Sequence, residues 1–226
     1  MATTQKESAM TSRSSMAAAI AVAITAAASA MASGQANPNK ARLLTPSQLT
    51  EKAPDRFTAK LDTSRGAVVI DVHRDWAPLG ADRFYNLVKN GFYDECRFFR
   101  VLDGFMAQIG MNGDPGIQSV WGRTNFNDDP VKGSNKRGFV TFAKSSLPNS
   151  RSTQFFINYA DNSNLDPQGF SPFGEVVTGL DIVDKLYSGY GRNNVPDQGR
   201  ITAEGNAYLM KTYPKLDYVK TATIER

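Results

Sequence analysis

The sequence predicts a mainly β fold, a closed or nearly closed antiparallel sheet with helices over its ends. Three observations predict it. Many short segments carry strand patterning between loops rich in Gly, Asn, Asp and Pro, and only two segments have secure helical periodicity. Strand and helix also fail to alternate regularly, which argues against a doubly wound α/β fold.

The elements follow in order. Phe57–Leu61 and Ala67–His73 flank the turn "DTSRG", and Val68, Ile70 and Val72 alternate with Val69, Asp71 and His73, the pattern of a hairpin. In "PLGADRFYNLVKNGFY" the period changes: Ala81, Phe84, Leu87 and Val88 form one helical face, and Asn90-Gly91 ends it. Further strands are expected at Cys96–Leu102, Phe105–Ile109, Phe139–Ala143, Phe155–Asn158 and Phe173–Val177. A second helix is expected in "TGLDIVDKLYSGY", where Leu180, Val183 and Leu186 share a face and Gly189 supplies a stop. A last strand within Leu216–Ile224 is placed to pair with the first. The stretch Gly189–Asp217, with a further helix in "AEGNAYLMKTY", is expected either to bind a partner or only to decorate this unit.

Residues 55–226 are thus expected to form the folded domain, long enough to bury a sizeable core without disulfide or metal. Residues 33–54 read as a spacer rich in Gly, Asn, Pro and Gln, with one short helix near "TPSQLTEKA". Ahead of it, Lys6 and Arg13 precede the small, apolar run Met16–Ala32, and "ASA" or "AMA" offers a cleavage site. Residues 1–32 therefore read as a secretory signal, implying an extracytoplasmic, periplasmic or secreted protein; an uncleaved membrane anchor or an organelle-targeting peptide is the alternative.

The net charge of +4 comes from Lys and Arg interspersed with Asp and Glu, so no nucleic-acid partner is expected. Cys96 is the single cysteine and reads as a buried thiol. His73 is the single histidine and reads as a strand-end surface residue; no G-x-S-x-G elbow accompanies it. These counts exclude a His/Cys zinc site. Neither G-x-G-x-x-G nor a Walker pattern is present, so no cofactor is expected. Asp128 and Asp129 read as a solvated loop beside Pro130.

What remains unusual is polar residues set in apolar strands. In an extended chain from Cys96, Phe98, Arg100 and Leu102 share one face, opposite Arg97, Phe99 and Val101. Gly104 permits a turn before Phe105, Met106 and Gln108. In "STQFFIN", Gln154, Phe156 and Asn158 share a face while Phe155 and Ile157 point to the core. Taken singly, such a Phe or Met is core, and such an Arg reaches water or an ion pair.

The pieces "FFRVLDGFMAQIG", "GFVTFAKSSLPNSRSTQFFIN", "LDPQGFSPFGEV" and "GLDIVDKL" together resemble the cyclophilin-type peptidyl-prolyl cis-trans isomerases, over about Phe57–Ile224. The resemblance implies a closed eight-stranded antiparallel barrel capped by two α-helices, with an external cleft that isomerises X-Pro bonds in unfolded or extended polypeptides. It assigns catalysis to Arg100, Phe105 and Gln108, and substrate binding to Met106, Gln154, Phe156, Leu165 and Phe170. Gln108 would orient Arg100 or bond the substrate's carbonyl side. Phe170 stands where many members have histidine. Asn164 stands where strongly cyclosporin-binding members have tryptophan, so weak cyclosporin affinity is expected. "AKSSLPNS" is one residue longer than in compact members, which leaves the substrate-contacting backbone open between Lys144 and Ser145. A monomer is expected, touching a membrane only if the N-terminal segment stays uncleaved. A low-turnover proline-peptide-binding or chaperone module is the alternative to an enzyme.

Overall fold

The computed structural model describes residues 39–225; the expected signal segment, residues 1–32, lies outside them. The strands are β1 Arg56–Thr63, β2 Gly66–His73, β3 Arg100–Leu102, β4 Met106–Ile109, β5 Phe139–Phe142, β6 Phe155–Asn158, β7 Pro172–Thr178 and β8 Val219–Glu225. They form one curled antiparallel sheet in the order β3-β4-β6-β5-β7-β2-β1-β8. The helices are α1 Lys40–Leu43, α2 Pro78–Lys89, α3 Pro115–Trp121, α4 Leu180–Val183 and α5 Gln198–Thr212.

Alternation builds the sheet as the sequence predicts. Leu61 opposes Val68, Ala59 opposes Ile70 and Phe57 opposes Val72, all buried on the inner face. β8 returns to pair with β1 from Thr58 to Thr63. Full closure of the sheet is not shown. β3 and β8 are its edges and share no ladder; the backbone bonds joining them lie ahead of β3, from Phe98 N to Asp217 O and from Val219 N to Cys96 O, both 2.9 Å, and from Glu95 N to Val219 O at 2.7 Å.

That pairing corrects the expected strand Cys96–Leu102, which begins only at Arg100. Strict alternation fails before it: Cys96, Phe98 and Val101 enter the main core, while Phe99 joins a second cluster with Met111, Ile201, Leu209 and Leu216.

The main core lies under α2. Ala81, Phe84, Leu87 and Val88 are all buried, and the Phe84 ring meets Tyr93, Phe155 and Phe173 at centroid distances of 5.5, 5.4 and 5.0 Å. Truncating such a ring costs about 3–5 kcal/mol. Pro78 occupies the first turn, where its missing N–H costs nothing. Asp129, expected in a solvated loop, is instead buried and accepts from Leu79 N at 3.0 Å and Gly80 N at 2.8 Å, closing the helix start.

The second predicted helix is a single turn, α4, after which Lys185 and Leu186 bond back to Ile182 and Val183 in three-residue steps that tighten and end it. The longer second helix is α5, packed with α3 over the Phe99 cluster. Gly205, at φ 59°, kinks it, and a Cβ there would strike the Gly113 carbonyl.

Residues 39–54, expected as part of a spacer, are packed. Leu43, Leu49 and Ala53 are buried, Trp121 Nε1 donates to Leu43 O at 2.7 Å, and Asn86 bonds the Glu51 backbone in both directions. No helix among the described residues is long and apolar enough to cross a membrane.

Candidate active site

The β3–β4 hairpin and β6 set the site by register. Arg100 pairs with Gln108 and Leu102 with Met106 across the hairpin, and Gln108 pairs with Phe156 on β6. Period-two alternation puts these residues on the outer face, while Val101, Ala107, Ile109, Phe155 and Ile157 enter the core beneath. Gly104, at φ 68°, makes the turn that lifts Phe105 beside them.

A cleft of about 110 Å³ opens on this face. Leu102, Met106, Phe156 and Leu165 form its apolar floor, with Phe105, Ala143 and Phe170 packed against them. Phe170 meets Phe156 edge-on at 5.8 Å. The far wall is carried by the 3₁₀ turn Ser163–Gln168, which Asp166 fastens by accepting from Ser134 Oγ at 2.5 Å, Asn135 N at 3.0 Å and Asn135 Nδ2 at 2.7 Å. The buried Arg151 donates to Gly169 O and pairs with Asp128, so the loops under Phe170 are tied together.

The polar groups form a chain. Arg100 Nη1 donates to Gln108 Oε1 at 3.0 Å, Gln108 Nε2 to Gln154 Oε1 at 2.8 Å, and Gln154 Nε2 to Gln198 Oε1 at 3.0 Å. The Arg100 guanidinium lies 5.9 Å from the Phe105 centroid. Burial lowers its pKa from the ordinary arginine value, and the nearby Arg192 adds to this. It forms no ion pair among the described residues, so its charge faces the cleft without a carboxylate to neutralise it. The arrangement offers a fixed cationic donor at the edge of an apolar pocket.

All eight residues singled out in the sequence therefore meet here: Arg100, Phe105, Met106, Gln108, Phe156, Leu165 and Phe170 line the cleft, and Gln154 joins through Gln108. Lys144, rather than Ser145, reaches the lining, beside Ala143. Asn164 is exposed on the 3₁₀ turn. Sequence reasoning missed Arg192 and Gln198, which arrive from the irregular stretch after α4 and from the start of α5; nothing in their local pattern distinguishes them. His73 is buried rather than on the surface and stacks on Trp76 at 3.9 Å, apart from the cleft lining. Among the described residues no group of three His, Cys, Asp or Glu is placed to hold a metal.

Residues 58–205 match the family model described as cyclophilin type peptidyl-prolyl cis-trans isomerase/CLD. A curated peptidyl-prolyl cis-trans isomerase of Acinetobacter baylyi is 35% identical over 149 residues, 62% of this chain and 79% of that protein. Peptidyl-prolyl cis-trans isomerase B of Escherichia coli is 35% identical over 132 residues, 55% of this chain and 80% of that protein. Among solved structures, a cyclophilin-type isomerase of Cryptosporidium parvum superposes with a TM-score of 0.56 at 19% identity, covering 76% of this chain and 98% of its own. A second structure of it, in the presence of the dipeptide Ala-Pro, gives 0.55 at 19%, covering 75% and 99%. At that identity the superpositions speak for the fold alone.

Proposed function

Because the chain belongs to the cyclophilin-type peptidyl-prolyl cis-trans isomerase family, it isomerises X-Pro peptide bonds, and we propose that it does so in the cleft built around Arg100. Planar cis and trans prolyl amides are separated by about 20 kcal/mol, because rotation destroys the partial double bond. No bond is made or broken, so the protein needs only to bind the twisted amide better than either planar form. In the twisted state the prolyl nitrogen becomes pyramidal and regains its lone pair. A cation aimed there stabilises it, and Arg100 is that donor.

The floor of Met106, Phe156 and Leu165, with Phe105 and Phe170 at its sides, holds the pyrrolidine ring away from water while the acyl side turns. Gln108 holds the guanidinium through its side-chain oxygen, which favours the orienting role over direct contact with the substrate. Gln154, the next link of the chain and bonded onward to Gln198, takes the backbone flanking proline. The observation that carries this reading is the half-buried arginine held against an apolar pocket with no carboxylate partner among the described residues.

The small, apolar run Met16–Ala32 supports an extracytoplasmic protein acting on chains that are folding, cleaved or anchored at its N-terminus. Exchange spectroscopy on an uncharged X-Pro peptide with the full chain tests the site reading: a raised interconversion rate supports it, whereas binding without acceleration selects a low-turnover module. N-terminal sequencing of the protein recovered outside the cytoplasm tests the signal.

A further inference from the structure

Arg192 sits in the irregular stretch between α4 and α5, yet its guanidinium returns to the cleft. Its central carbon is 5.9 Å from the Phe105 centroid, and so is that of Arg100, which puts the two cations no more than twice that distance apart. Lys144 also lines the cleft, with its Nζ 5.7 Å from the Phe170 centroid. None of the three forms an ion pair among the described residues, and three nearby acids are engaged elsewhere. Asp166 is held by Ser134 and Asn135, Asp197 caps α5 through Arg200 N, and Asp128 pairs with Arg151. Asp103, at the hairpin turn, is exposed and forms an ion pair with none of the three cations among the described residues.

The pyrrolidine ring is neutral and calls for no charge beyond Arg100. Two further cations around an apolar pocket repel one another in the free protein, and an incoming anion relieves that repulsion. A guanidinium is also the cation best shaped for a carboxylate or phosphate, which it grips through two parallel N–H groups. We propose that the cleft prefers segments with an anionic side chain adjacent to the proline, held by Arg192 beside Phe105, with Lys144 adding to the field from beside Phe170. This specificity rests on the isomerase reading of the same cleft. Arg192 is solvent-exposed, so the preference is modest and sensitive to salt.

The test uses the full chain and peptides uncharged except at one position, with Glu, Gln, Lys or phosphoserine immediately before proline, and a second set with the same residues after it. The readout is the ratio of kcat/KM between peptides, in which any overall loss in a variant cancels. At low salt the wild type is expected to favour Glu over Lys by about fivefold on at least one side of proline, and about 1 M salt to shrink that ratio toward one. Arg192→Glu reverses the order and Arg192→Lys keeps it. A phosphoserine peptide that outruns Glu supports the same assignment and names phosphate as the preferred anion. Equal values for Glu and Lys on both sides, or an order unchanged by Arg192→Glu, overturn the proposal. Absence of turnover on every peptide counts against the isomerase reading instead; the preference is then read from the Kd ratio, and equal Kd for Glu and Lys peptides overturns it.

Discussion

Arg100 Nη1 donates to Gln108 Oε1 at 3.0 Å, and the two residues are direct cross-strand partners on β3 and β4. The sheet register thus aims the cation, since both side chains rise from the same face of a hairpin whose other face is locked in the core. Gln108→Ala removes the orienting acceptor without touching that core. The expected result is about a tenfold loss in kcat/KM, in keeping with a hydrogen bond to a charged group, with an unchanged circular dichroism spectrum. Full activity in the variant would show that the register alone positions Arg100.

Asp166 gives the far wall of the cleft a pH dependence. Burial pulls its carboxyl pKa upward, but the bonds from Ser134 and Asn135 outweigh this and leave it below the ordinary value. A depressed folded pKa means stability that is present above the unfolded value, about 3.9, and lost as pH falls through the folded one. Thermal midpoints are therefore expected to fall below about pH 4 more steeply in the wild type than in Asp166→Asn, which should already be less stable at neutral pH. Parallel pH profiles would remove Asp166 from this role.

The Cys96 thiol is fully buried, and burial, followed by the nearby Asp94, pushes its pKa well above the usual thiol range. Nucleophilic attack needs an accessible thiolate. Native protein should stay silent to a thiol-specific colour reagent and release one equivalent only on unfolding; rapid labelling of the native state would contradict the placement of this residue.

Leu43 tests whether residues 39–54 belong to the folded unit. Its side chain is fully buried and its carbonyl accepts from Trp121 Nε1. Leu43→Ala is expected to cost about 2–5 kcal/mol in urea denaturation, the range for a core leucine. A change within about 0.5 kcal/mol, typical of surface positions, would return the segment to a spacer.

What was legible in the sequence is what local physics encodes. The β1–β2 hairpin shows as alternation because each strand has one buried and one exposed face, and α2 shows as a 3.6-residue stripe ended at Asn90-Gly91. The cleft was legible because Arg100, Gln108 and Phe156 are polar and apolar residues at strand spacing, read together with the family resemblance. Hidden features depend on distant partners. Residues 96–98 leave the strand pattern because they bond to the backbone some 120 residues later. The later part of α5 is the helix expected in "AEGNAYLMKTY", but its first turn is not, because the period is interrupted at Gly205, whose place is set by the Gly113 carbonyl. Leu43 stands beside an exposed leucine, Leu44, in a stretch with no period, and Arg192 and Gln198 likewise lie where the chain has no period to read.

The central claim is that the Arg100 cation performs the isomerisation. The most direct measurement compares wild type with Arg100→Ala by exchange spectroscopy on an uncharged X-Pro peptide, after circular dichroism and thermal unfolding show both proteins folded. The account predicts a loss of about 10²-fold or more in kcat/KM, the scale for removing a donor aimed at a transition state. Equal and substantial rates in the two folded proteins would contradict it.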